Sequence, residues 1–336
     1  MKKLIYRFGN PKQRNTFISK EILGGKGANL AYMAKLNLPV PPGFTISTEV
    51  CDSFYKNKNK IPKKILSQIK KEIVTIEKMT GKKFGDLKFP LLVSVRSGSR
   101  VSMPGMMDTI LNLGLNDKNV IALKKMTSNG RFAKDSYRRF IQMYSNVVLG
   151  VPSHLFEELI ENYKLTKGVI QDTELEESDW DGLIQNFKDI VKEKTKKNFP
   201  QDVQDQLNGA IGAVFLSWHS KRAKTYRRIN HIPDHWGTAV NVQTMVFGNM
   251  GLNCATGVAF TRNPADGKNE LFGEYLVNAQ GEDVVAGTRT PQNLLKMNKS
   301  MPKIFKQLKK IFKLLEKEYK DIQDIEFTVE NNKLWM

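Results

Sequence analysis

Cysteine is nearly absent from this 336-residue chain: only Cys51 and Cys254 occur, far apart and without paired spacing. Neither a disulfide framework nor a thiolate zinc site is expected from them. Long apolar runs are missing too. None approaches the roughly 20 residues that a membrane-spanning helix needs. The amino-terminal MKKLIYRFGNPKQ has two lysines with no apolar stretch behind them, so it does not read as a signal peptide. The chain therefore reads as globular and cytoplasmic, with no membrane partner. No Gly-Lys pair is followed by Ser or Thr, which excludes a Walker A loop. Acidic residues are few: 34 Asp and Glu stand against 53 Lys and Arg, a net charge of +19. That balance would suit nucleic acid. The lysines, however, are scattered at helical spacing among Ile, Leu and Phe in residues 56–64, 192–197 and 303–320. No recognition-helix, RNP or zinc-knuckle signature accompanies them, so specific nucleic-acid binding is not expected. A long-range attraction for small polyanions is.

What is present points to an anion site. The length calls for two or three domains. In residues 91–114, LLVSVRSGSRVSMPGMMDTILNLG, a buried-type strand runs into a loop rich in glycine and methionine. Period-two alternation sets Ser94 and Arg96 on the face opposite Val93 and Val95, so a rigid strand holds a guanidinium fork at its edge. Gly98 and Gly105 bracket the loop and allow backbone amides to turn toward an anion, with phosphate the candidate. Taken alone, one arginine near one glycine is more simply a strand end with a surface salt bridge.

Further segments add to this. Residues 24–47 predict a glycine turn, a helix over 28–36 and a proline-marked strand, with Lys26 in the turn before the helix, where an amino terminus favours anions. Residues 52–80 predict a helix with a buried stripe at Ile65, Ile69, Ile73 and Ile76. Residues 116 to about 200 predict a mostly helical insertion. Within it Arg138 and Arg139 are adjacent and point about 100° apart, so one can face a cleft while the other pairs on the surface. A long helix is expected over 204–228, then a half-buried strand in which Val240 and Val242 alternate with Asn241 and Gln243. Residues 248–257, GNMGLNCATG, suit a hairpin loop, either folded over a nucleotide or mobile without one. Glu282 and Asp283 follow a strand and a glycine, where carboxylates serve magnesium, proton transfer or only solvent. Residues 303–320 predict a basic helix with a core stripe at Ile304, Leu308, Ile311 and Leu315. On the last strand Asp324, Glu326 and Thr328 share one face and Ile325, Phe327 and Val329 the other. Carboxylates two residues apart lie about 6.6 Å apart along a strand, close enough to share hard cations. An Asn331-Asn332 turn then leads to a short returning strand at 334–336. Its abrupt stop suggests a piece of a longer protein.

Seven tracts run in order through nearly the whole chain: GGKGANL, SVRSGSRVSMPGMMDTILNLGLN, RFAKDSYRRFIQM, VQTMVFGNMG, TGVAFTRNP, NAQGEDVVAGTRTPQ and QDIEFTVE. Together they resemble the amino-terminal region of pyruvate, phosphate dikinases. Pyruvate, water dikinases match GEDVVAGTRTP and PGMMDTILNLG less well. The resemblance implies an α+β ATP-grasp fold, two lobes around an ATP cleft with a mostly helical inserted subdomain. Residues 1–115 and 201–246 would form the first lobe, 116–200 the insertion and 247–336 the second lobe. ATP and Mg2+ are the implied cofactors. Lys26 and Arg96 match positions that hold the ATP phosphates, with Gly105 in the loop that closes over them. Arg139, Glu282 and Asp283 match positions around the transferred phosphate and inorganic phosphate. Asp324 and Glu326 match the metal- and nucleotide-binding carboxylates. The glycine loop 248–257, with Thr256 and Gly257, matches the lid over the triphosphate, and Gln243 and Met245 border the adenine.

In this family the β-phosphate of ATP ends on a histidine of a separate domain, the γ-phosphate goes to inorganic phosphate, and the histidine later phosphorylates pyruvate. Nothing here resembles those later domains. His154, His219, His231 and His235 lack the expected Thr-Ser-His surroundings and are read as structural. The implied partners are ATP, inorganic phosphate, and the phosphohistidine and phosphoenolpyruvate/pyruvate domains of a longer chain, whose carboxyl-terminal domain could make an oligomer. A different reading is a stand-alone ATP-sensing or partner-binding protein without the chemistry. Three departures stand out. Cys254-Ala255-Thr256-Gly257 replaces the expected Ser-Gly-Thr-Gly, Asn263 stands where Asp is usual, and a glutamine and an arginine expected just beyond Met336 are not in this sequence.

Overall fold

The structure is a computed structural model that describes residues 3–9, 19–285, 287 and 289–336. Residues 1, 2 and 10–13 of the amino-terminal stretch, and Ala286 and Thr288 of the acidic tract, lie outside the described residues. Two compact units are present: Met1–Lys35 with Pro42–Met245, and Leu36–Pro41 with Val246–Met336. Both mix helices with antiparallel sheet.

The first unit begins with β1 (Ile5–Phe8), α1 (Lys20–Lys35) and β2 (Gly43–Ile46). α1 is broken at Gly24, which has φ 68° and ψ 172°. The cause is close approach of two backbones: a Cβ on Gly24 would lie 1.8 Å from the carbonyl oxygen of Gly98. Only glycine tolerates both that contact and the left-handed φ. Lys26, expected in a turn ahead of the helix, therefore stands inside α1, in the first turn after the break.

α2 (Thr48–Lys56) and α3 (Lys63–Thr80) replace the single helix expected over 52–80. Lys58 and Asn59 have positive φ, and Pro62 is the N-cap of α3. The isoleucine stripe of α3 is buried as its spacing predicts. Next come β3 (Lys83–Phe84), β4 (Pro90–Leu91), β5 (Val93–Gly98) and β6 (Thr109–Leu113). The expected helix-rich stretch holds α4 (Asn119–Thr127), α5 (Gly130–Val147), α6 (His154–Lys167) and α7 (Glu177–Thr195).

The long helix expected over 204–228 is two helices, α8 (Val203–Ser217) and α9 (Lys221–Ile229). The break has a tertiary cause. Arg227, fully buried, lies 4.1 Å over the Trp218 ring, donates to the Trp218 carbonyl and pairs with Asp234 at 2.6 Å. The Ser220 hydroxyl accepts from the Ala223 N–H and restarts the helix. β7 (Ala239–Thr244) completes a five-stranded antiparallel sheet of order β1-β2-β7-β5-β6. β7 is its central strand, and all six residues are buried beneath α1, α2 and α8. The half-buried reading of this strand is thus corrected, because helices distant in sequence cover what alternation alone would leave open.

In the second unit, β8 (Ala255–Phe260), β9 (Phe272–Val277), α10 (Gly281–Val285) and β10 (Gln292–Asn293) lead to α11 (Met297–Ser300) and α12 (Pro302–Tyr319). β11 (Asp324–Glu330) and β12 (Lys333–Trp335) follow, giving the sheet order β10-β9-β8-β11-β12. Asn331 and Asn332 turn the last hairpin at φ 49° and 59°, the left-handed pair that a tight two-residue turn requires. Ile304, Leu308, Ile311 and Leu315 of α12 are buried, as the helical spacing predicts. Residues 248–257 do not form a hairpin loop: β7 and β8 belong to different sheets, and residues 255–257 are already strand.

Candidate functional site

In the first unit the structure joins the two segments that carry Lys26 and Arg96. Gly24 rests on Gly98, the Gly25 N–H donates to the Ser99 carbonyl at 2.8 Å, and Gly27 sits against Thr45 and Asn241. The restarted turn of α1 is therefore fastened to the end of β5, the strand that carries Arg96. The Arg96 Nε is buried and has no hydrogen-bond partner among the described residues. A buried guanidinium nitrogen without an acceptor costs stability and is suited to meet an anion.

The loop after β5 is anchored at its far end. Met103 is buried against Trp218 and Ala223. Arg222 pairs with Asp108 and donates to the Met106 carbonyl at 3.2 Å. Burial lifts the Asp108 carboxyl above its usual range although Arg222 pulls it down. Gly105, at φ 70°, has open space around it. The carbonyl of Leu92 holds the Met245 N–H at 2.9 Å, and Gln243 aligns with Gly43 and Ser94 in the sheet; both are buried.

Arg139 stands on α5, which packs against β6, and its Nε donates to Asp135 at 3.3 Å. The expectation that its neighbour pairs on the surface is overturned. Arg138 is buried, donates to Asp135 at 2.9 Å and to Asp172 at 2.7 Å, and lies 4.7 Å over the Trp180 ring. Burial alone would raise the Asp135 carboxyl, but Arg139, Arg138 and Arg131 outweigh it and hold it below the usual carboxylate range. Sequence reading missed Asp135. Its only signal was its spacing of three and four residues from the two arginines.

In the second unit the alternation of β11 is as expected, with Asp324 and Glu326 exposed and Ile325, Phe327 and Val329 buried. Burial and then the neighbouring charge of Glu326 raise the Asp324 carboxyl, so the two acids repel each other. Among the described residues no group of three or more His, Cys, Asp or Glu could hold a metal. This pair of hard oxygen donors fits a magnesium ion that draws its remaining ligands from phosphate and water. Thr256 and Gly257 lie on the adjacent strand, paired with Thr328 and Phe327. A Cβ on Gly257 would come 2.5 Å from the Phe327 ring, so glycine is required there. Ala255, the departure from the expected glycine, is fully buried within β8, where an L-residue is at ease. Glu282 and Asp283 occupy α10, whose first residue, Gly281, lies beside the Thr256 hydroxyl. Asp283 accepts from the Gln280 N–H at 2.9 Å.

These observations define a mixed α/β protein with the buried Arg96 Nε on one antiparallel sheet and the Asp324 and Glu326 carboxylates on another. Residues 20–71 and 57–305 match the family described as pyruvate phosphate dikinase, AMP/ATP-binding domain, and the chain belongs to it. It is 53% identical over 348 residues to pyruvate, phosphate dikinase of Rhizobium meliloti (strain 1021), covering 100% of this chain and 39% of that protein. Identity to the Clostridium symbiosum protein of that name is 54% over 338 residues, covering 100% of this chain and 38% of the relative. For the chloroplastic pyruvate, phosphate dikinase 1 of Zea mays the figure is 51% over 335 residues, 100% of this chain and 35% of the relative. The chain thus spans less than two-fifths of these curated relatives. The resemblance read from the seven tracts is borne out.

Proposed function

We propose that the chain is the ATP- and magnesium-binding phosphotransfer module of a pyruvate, phosphate dikinase. In the whole protein ATP, phosphate and pyruvate become AMP, pyrophosphate and phosphoenolpyruvate. The module adopts an ATP-grasp arrangement, with residues 1–115 and 201–246 as one lobe, 116–200 as the helical insertion and 247–336 as the other lobe. A phosphohistidine domain and a phosphoenolpyruvate/pyruvate domain elsewhere in the protein receive the phosphate, in the cytoplasm, with oligomerisation through the latter.

Lys26 and Arg96 neutralise and orient the phosphates, and Gly105 lets its loop close over them. Arg139, Glu282 and Asp283 act around the transferred and inorganic phosphates. Gln243 and Met245 border the base, while Thr256 and Gly257 flank the triphosphate. Asp324 and Glu326 are the metal holders, and magnesium bound there supplies charge neutralisation to the phosphates. The Arg96 Nε, buried and without a partner among the described residues, on a strand fastened to the α1 turn, carries this reading.

The test is calorimetric titration with Mg-ATP. Arg96→Ala is expected to weaken binding by about 1.5–3 kcal/mol, the range for hydrogen bonds to charged groups. Unchanged affinity would remove Arg96 from the site and this reading with it.

A further inference from the structure

A polar row crosses the sheet of the first unit. Thr45 on β2, Asn241 on β7, Arg96 on β5 and Thr109 on β6 are successive register partners. Such partners present their side chains on one face. Asn241 is fully buried, and its Oδ1 accepts from the Thr45 hydroxyl at 2.7 Å. That bond engages the acceptor end of the carboxamide and turns Nδ2 the other way, so that a Cβ on Gly98 of β5 would lie 2.7 Å from it. Among the described residues neither this Nδ2 nor the Arg96 Nε has a hydrogen-bond partner. Reversed, the amide would offer an oxygen toward β5, the strand that carries Arg96. In the observed orientation it offers only hydrogens. The same side chain fills the space above Gly27, whose Cβ would lie 2.9 Å from the Asn241 Oδ1.

We propose that Asn241 is a positioning residue for the anion site. Oriented by Thr45, it withholds an acceptor from Arg96, so the guanidinium stays available to phosphate, and it sets the seat of α1 between Gly27 and Gly98. The inference rests on Arg96 holding the phosphates of Mg-ATP.

Asn241→Asp is nearly isosteric and exchanges the β5-facing donor for an acceptor. Its Mg-ATP affinity is expected to fall by roughly tenfold or more, the scale of one hydrogen bond to a charged group. Adenosine affinity, followed by NMR titration, should not change, whereas general damage to the fold would lower both. Thr45→Val frees the amide to reverse and should weaken Mg-ATP by about three- to tenfold, while Thr45→Ser keeps the hydroxyl and parental binding. The Thr45 pair decides the matter even where Asn241→Asp does not fold. Equal binding by Thr45→Val and Thr45→Ser, or parental Mg-ATP binding by Asn241→Asp, overturns the proposal. If Arg96→Ala weakens Mg-ATP while these variants do not, only this inference fails; if Arg96→Ala has no effect, the site reading itself fails.

Discussion

Asp135 carries more of the structure than its place in the sequence suggests. It is buried on α5 with Arg138 and Arg139 both donating to it. Removing one member of a buried ion pair strands the others, so Asp135→Ala is expected to cost about 3–5 kcal/mol, measured by urea unfolding. Its folded carboxyl is held below the usual range. The stabilising contribution is therefore fully present above the ordinary aspartate pKa, about 3.9, and is lost as pH falls through the lower folded value. The gap in stability between parent and variant should close in that acid window. The neighbouring arginines stood out as candidates in the sequence, whereas Asp135 showed only its spacing of three and four residues from them. Its importance comes from Asp172 and Trp180, which reach Arg138 from other elements.

Elements with a simple period were legible. The isoleucines of α3, the stripe of α12 and the alternation of β11 each follow from the repeat of a single helix or strand. Broken elements were not. The interruption after α2 is local, left-handed residues at 58 and 59 followed by Pro62, while the one after α8 combines the Ser220 cap with the buried Arg227 held at Trp218. The break in α1 belongs with them, since Gly24 is held by its contact with Gly98. Gly24→Ala forces an alanine into a region of positive φ and extended ψ that essentially only glycine occupies, costing about 1–3 kcal/mol, and also a clash with a carbonyl. Thermal unfolding should show a loss beyond that figure. Mg-ATP binding should fall as well, because the turn carrying Lys26 is displaced from β5. Parental binding in a destabilised variant would separate the α1 turn from the site.

Across the whole chain the excess of 53 basic over 34 acidic residues acts at long range. Mg-ATP association should slow several-fold between low salt and about 0.5 M, as screening shortens the reach of that field. Stopped-flow measurements would show it, and a salt-independent rate would confine the attraction to the site. No helix among the described residues is long and apolar enough to cross a membrane.

The order of amino acids alone was enough for the family, through seven collinear tracts, and for most helices and strands, because such patterns depend on near neighbours. It also named Lys26, Arg96, Asp324 and Glu326 as residues to watch. Only folding joined Gly24 to Gly98 and set Thr45, Asn241 and Arg96 in one row, and only folding buried β7 on both faces. Each of those facts depends on segments far apart in the chain meeting at van der Waals distance, and no local pattern encodes such a meeting.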